Sequence, residues 1–141
     1  MKRNLIIVGV VVAIFALSIF LSYRQASLQQ KRTEIRARHI LVMIDRSDPV
    51  KQAQALERIK EIHERVLAGE DFALLAKQYS EDVLSAPLGG DLGYVEVDDL
   101  DEAFKKAVLE LDEGEKSGIV ESSYGYHIIE LLGRRGPRAE R

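Results

Sequence analysis

From Leu5 to Leu21 the chain reads LIIVGVVVAIFALSIFL, an apolar run broken only by Ser18. No charged residue falls between Asn4 and Tyr23, twenty residues in all. As a helix rising about 1.5 Å per residue, that stretch would be about 30 Å long, the thickness of one bilayer core. Nothing else in a chain of 141 residues could wrap it as a buried core helix. A secretory signal is the rival reading, but its apolar region is shorter, about 7–15 residues, and ends in small residues before the cut. Here the run continues into Leu21-Ser22-Tyr23-Arg24-Gln25-Ala26, and a cut after Ala26 would leave Arg24 close upstream. Residues 1–23 therefore read as an uncleaved transmembrane signal-anchor helix.

Charge also divides the chain, with the basic residues in the front part that holds the span, its flanks and the stalk. Residues 1–38 carry seven Lys/Arg and one Glu, a net of +6; residues 39–141 carry thirteen and twenty-two Asp/Glu, a net of −9. Counted naively, the basic residues after the span, Arg24, Lys31, Arg32, Arg36 and Arg38, would hold the C-terminal domain in the cytoplasm. Several of them belong to the stalk or the folded part, and Lys2-Arg3 abuts the first apolar residues as in a signal anchor. The expectation is a domain on the extracytoplasmic side. An acidic globular part argues against nucleic acid, which wants clustered Lys/Arg. The absence of cysteine excludes a disulfide scaffold, a thiol nucleophile and a Cys-ligated metal.

Residues 24–35 are polar and read as a stalk. Arg36 to Ile44 alternates as a strand, with Ile40 and Val42 on one face and His39, Leu41 and Met43 on the other. Asp45-Arg46-Ser47-Asp48-Pro49 is a turn and helix start. Apolar residues at 3–4 spacing carry that helix to Leu67, and Gly69 ends it. Asp71 can cap a second helix with Phe72, Leu75, Ala76 and Tyr79 on its buried face. Ser80 to Gly93 reads as a structured loop, Tyr94-Val95 as a short strand. Asp98 or Asp99 can cap a third helix through Leu111, and Ile119-Val120 and Tyr126–Leu132 read as two last strands. The fold class is α+β: a small, mostly antiparallel sheet of about four strands with about three helices, behind one N-terminal transmembrane helix. The folded domain spans 36–135, and 136–141 is a basic tail.

Several motifs in this order carry a family resemblance. They are Arg38-His39-Ile40-Leu41, Phe72 through Asp82 (FALLAKQYSED), Gly89-Gly90-Asp91-Leu92-Gly93, Ser117-Gly118-Ile119-Val120, and Tyr124-Gly125-Tyr126-His127-Ile128-Ile129. Together, from about Ile35 to Arg135, the chain resembles the parvulin peptidyl-prolyl cis/trans isomerases. The resemblance implies a catalytic set of His39, Asp82, His127, Tyr124 and Ser122, and a proline pocket of Leu92, Leu100 and Phe104. Asp82 stands where the family carries Asp or Cys, Leu100 where Met is usual, and Tyr124 where some relatives have Ser. Phospho-directed members carry a basic cluster after the first strand. The corresponding loop, Asp45-Arg46-Ser47-Asp48, has one Arg and two Asp, so no preference for phosphorylated Ser/Thr-Pro is expected.

The chemistry suits such residues. Turning an X-Pro bond breaks no covalent bond; the obstacle is amide resonance, about 18–20 kcal/mol. A greasy cup favours the twisted amide, which has lost its resonance-fed charge separation. No nucleophile, metal or cofactor is called for. The two histidines would either hold the sheet by bonding one another or tune the field at the carbonyl. The plain alternative for Asp82 is a cap or turn residue. Two His and one Asp also make a metal-ligand set, but at generic spacing. The expected partner is an unfolded or exported polypeptide containing proline. The competing reading is a parvulin-fold binding module, catalytically weak and acting as a membrane-tethered chaperone.

Overall fold

The alternation around His39 becomes β1 (Glu34–Met43), the strand on which the domain is assembled. In the computed structural model of the chain, the described residues are 2–29 and 33–136, and for 2–11 and 26–29 the description is of backbone alone. Two compact units divide at Arg32–Thr33.

The first unit is a helix, α1 (Lys2–Gln29). From Val12 to Leu21 its described side chains are apolar apart from Ser18, and they are exposed: Ile19, Phe20 and Leu21 are consecutive, and each is more than half exposed. Among the described residues no helix is long and apolar enough to cross a membrane. The side chains of Lys2 and Arg3, the Lys31-Arg32 part of the stalk, and tail residues 137–141 lie outside the described residues.

In the second unit β1 pairs antiparallel with β4 (Gly125–Arg135) from Glu34↔Arg135 to Met43↔Gly125. β2 (Asp91–Glu96) pairs with the first half of β1, and β3 (Val120–Glu121) with the start of β4, giving the order β2-β1-β4-β3. Each face is covered by a different set of helices. On one, Ile40, Val42, Tyr126 and Ile128 pack against α2 (Pro49–Leu67) and α3 (Phe72–Tyr79) through Ile59, Ile62, Phe72 and Leu75. On the other, Ile35, Ala37, Ile129 and Leu131 pack against α4 (Glu102–Glu110) through Phe104 and Val108. Period-two strands can feed two cores in this way. Truncating any one of these buried large residues to Ala costs about 2–5 kcal/mol.

The helix caps follow from short acidic side chains. Asp48 accepts from the Val50 and Lys51 amides with Pro49 in the first turn, and Asp71 accepts from Leu74. Ala68 closes α2, and Gly69 beyond it has φ +88°. One expectation is corrected: the third soluble helix is capped by Asp101, through the Ala103 amide. Asp98 and Asp99 lie instead in a short 3-10 turn (Val97–Asp99), so Leu100 stands before the helix rather than on it. The strands also shift. β1 starts at Glu34, inside the expected stalk, and β2 already starts at Asp91, inside the expected loop.

A buried carboxylate ties the sheet together. Glu130 accepts from Arg38 at 2.6 Å and lies 3.7 Å from Lys116. The Arg38 guanidinium in turn covers the Phe72 ring at 5.2 Å. Such a charge stays buried because its partners stay with it.

Candidate active site

β2 covers only the first half of β1, so the second half of that edge needs other partners. The segment after α3 supplies them. The Ser80 hydroxyl accepts the Leu41 amide at 3.1 Å, and the Glu81 amide donates to the Leu41 carbonyl at 2.7 Å. The Glu81 carboxylate accepts the Met43 amide at 2.7 Å, and the Gly90 carbonyl accepts the His39 amide at 3.0 Å. The loop thus behaves as a substitute strand, and that placement delivers Asp82 to His39.

His39 on β1 pairs in register with Ile129, and His127 sits diagonally from it on β4. Both rings face the α4 side and are buried. They stack at 5.3 Å between centroids with an 18° interplanar angle, Nδ1 to Nδ1 at 3.1 Å. The Phe104 ring stands edge-on to both, at 5.7 Å from His39 and 5.5 Å from His127. His39 Nε2 lies 2.7 Å from Asp82 and 3.2 Å from the Ser85 hydroxyl. His127 Nε2 lies 2.6 Å from the Ser122 hydroxyl.

Burial, the largest influence on Asp82, pushes its carboxyl up, but hydrogen bonds from Ser85, His39 and the Leu84 amide outweigh it. The group therefore sits below the usual carboxylate range and is ionised at neutral pH. Burial, helped by the neighbouring His39, pushes His127 down to about 4, so that ring is neutral. Ionised Asp82 only accepts, so His39 Nε2–H donates to it. The Ser122 hydroxyl oxygen accepts the Tyr124 amide at 3.1 Å. A continuous line of hydrogen bonds thus runs from the Tyr124 amide through Ser122, His127 and His39 to Asp82.

These rings floor an open cavity of about 410 Å³. Leu92, Leu100, Phe104 and Tyr124 line it with His39, His127 and Asp82. Seven of the eight residues expected at the site therefore meet around one hollow. Ser122 stands behind it, touching His127 rather than the cavity. Ser85 was missed. It is buried, and its hydroxyl donates to Asp82 at 2.5 Å. Its signal was the Asp-x-x-Ser spacing within a loop already singled out. Arg46 does not line the cavity; it donates to Glu121 at 3.2 Å and to the Ser122 carbonyl at 2.8 Å. Among the described residues there is no cluster of three or more His, Cys, Asp or Glu that could hold a metal.

The PPIC-type PPIase domain model matches residues 20–135. The chain belongs to this family. It is 47% identical over 109 residues to the chaperone SurA of Chromohalobacter salexigens, a match covering 76% of this chain and 25% of the relative. Among solved structures, the peptidylprolyl isomerase PrsA of Bacillus anthracis superposes with TM-score 0.65 at 36% identity, over 79% of this chain and 46% of that one. NmPin, the parvulin of Nitrosopumilus maritimus, superposes with TM-score 0.54 at 38% identity, over 72% of this chain and 97% of that one. The chain thus spans about a quarter of the length of its curated relatives. The expected parvulin-like fold is the fold observed.

Proposed function

We propose that the protein is a peptidyl-prolyl cis/trans isomerase acting on X-Pro bonds of unfolded or exported chains. The observation that carries this is the apolar cup of Leu92, Leu100 and Phe104 lining one cavity with the two histidine rings, Phe104 standing edge-on to both. The cup takes the pyrrolidine ring and sheds its water. The X-Pro carbonyl then lies near the histidines, which are held in the hydrogen-bonded line from Tyr124 to Asp82. A surround of that kind has little to offer a planar amide with its full resonance dipole. It suits the twisted amide better, and each tenfold of rate asks for about 1.4 kcal/mol of that preference. Rotation needs no covalent bond to the protein and no proton transfer. Asp82 and Ser85 lock the His39 ring, Ser122 locks His127, and the exposed Tyr124 closes one side of the cup.

Substrates bearing a phosphate before proline are disfavoured. The one Arg of the loop after β1 is spent on Glu121 and Ser122, and among the described residues the cavity is lined by Glu81, Asp82, Asp99 and Asp101 and by no Lys or Arg. Residues 1–23 act as a membrane anchor holding the domain on the extracytoplasmic side. That reading is supported by the uncharged run from Asn4 to Tyr23 and by the open apolar side chains of α1. The identity to SurA, named a chaperone, favours polypeptide clients in either case.

A protease-coupled assay on the full chain in mild detergent, with an Ala-Xaa-Pro-Phe peptide, tests the reading. Acceleration proportional to protein concentration supports it; a rate equal to buffer overturns it in favour of a binding module.

A further inference from the structure

Asp101 uses its two carboxylate oxygens on two different elements. One oxygen, Oδ1, accepts the Ala103 amide at 3.0 Å and starts α4. The other reaches across to the turn between β3 and β4. There Oδ2 accepts the Ser123 hydroxyl at 2.7 Å and lies 3.5 Å from the Ser123 amide. Two cavity walls meet at this carboxylate. Leu100 immediately precedes Asp101 and Phe104 follows on α4; Tyr124 immediately follows Ser123, and Ser122 precedes it.

We propose that Asp101 is a positioning residue for the isomerisation: by capping α4 with one oxygen and gripping Ser123 with the other, it sets the distance between the Leu100–Phe104 wall of the proline cup and the Ser122–Tyr124 turn. The proposal rests on the isomerase reading of this cavity.

Each wall is anchored without the clamp. Phe104 and Val108 hold α4 in the core. Arg46 holds the Ser122 carbonyl at 2.8 Å, and the Ser122 amide donates to Gly125 at 2.9 Å. What the Asp101–Ser123 bond adds is their mutual placement. The bond is also charge-assisted: the Ser123 hydroxyl, more than any other influence, holds the Asp101 carboxyl below its ordinary value, so it is ionised at neutral pH. The same negative charge acts on His127, pushing its ring up against the larger effect of burial.

The test uses the full chain in detergent with Ser123→Ala, Asp101→Ser and the two combined. Serine at 101 keeps a cap oxygen for Ala103 but is too short to reach Ser123. Two quantities are read, kcat/KM in the protease-coupled assay and the affinity for a proline peptide by titration, alongside Tm. Each single variant is expected to lose about tenfold in kcat/KM, mostly through KM, with Tm lowered by no more than about 4 °C. The double variant is expected to lose no more than either single, because both remove one interaction. Ser123→Thr, which keeps the hydroxyl, is expected to restore most of the loss. Singles equal to the parent, losses that multiply in the double variant, or losses that track Tm would each overturn the proposal. An inactive parent would sink the isomerase reading instead. The affinity arm then decides the clamp: peptide binding unchanged by the single variants overturns it, and binding weakened about fivefold or more in both supports it.

Discussion

Gly90 presses on His39 so closely that no side chain fits between them. A Cβ placed on Gly90 would lie 2.2 Å from the His39 carbonyl oxygen, and Gly90 already sits at φ +82°. Its own carbonyl holds the His39 amide. The glycine signature is thus the means by which the loop after α3 docks on the open edge of β1. Gly90→Ala is expected to cost at least about 2 kcal/mol in urea unfolding, from strain and displaced backbone together. Gly69→Ala is the control. It has a similar φ of +88° but nothing within 4 Å, so only about 1 kcal/mol should be lost.

Leu100 and Phe104 line the same cup but carry different structural loads. Leu100 is half-buried ahead of α4, whereas Phe104 is buried in the core and touches both histidines. Leu100→Ala should lower kcat/KM about tenfold with less than about 1 kcal/mol lost in stability. Phe104→Ala should lose both, with about 3–5 kcal/mol of stability gone. Thermal unfolding beside the isomerase assay separates the two.

The buried, neutral His127 makes the fold sensitive to acid. Its folded value of about 4 lies below the ordinary 6.5, so between those values the unfolded chain binds a proton that the folded one refuses. Stability is therefore highest above about pH 6.5 and falls as pH drops toward 4, by roughly 3 kcal/mol at most from this group. Asp82 acts in the same direction lower down. Its depressed carboxyl contributes stability that is present above the ordinary carboxylate value and lost as pH falls through the folded one. Urea midpoints measured from pH 8 to 4 should fall, and His127→Gln should flatten the slope between 6.5 and 4.

Because rotation transfers no proton, kcat/KM should be nearly the same in H₂O and D₂O. A loss of more than about twofold in D₂O would place proton transfer in the rate-limiting step and contradict the non-covalent scheme.

The sequence made the histidines legible because each stands in a strand whose alternation assigns its face, and two strands in register bring the faces together. The cup was legible through the family motifs alone. Leu100 and Phe104 look like ordinary core residues at helical spacing, and Leu100 proved to lie off the helix altogether. The Asp101 cap was misplaced because Asp98, Asp99 and Asp101 are all competent caps, and local propensity does not rank them. Tertiary contact does, through the Ser123 hydroxyl. Ser85 was missed for a like reason: its role exists only once the loop folds back along β1 and meets His39.

The most direct test of the central claim is exchange NMR on a short X-Pro peptide with the full chain in detergent. Cis/trans exchange cross-peaks are expected only when the protein is present, with peptide-induced shifts at Leu92, Leu100 and Phe104. Shifts at those residues without exchange cross-peaks would contradict catalysis and leave a pocket that only binds.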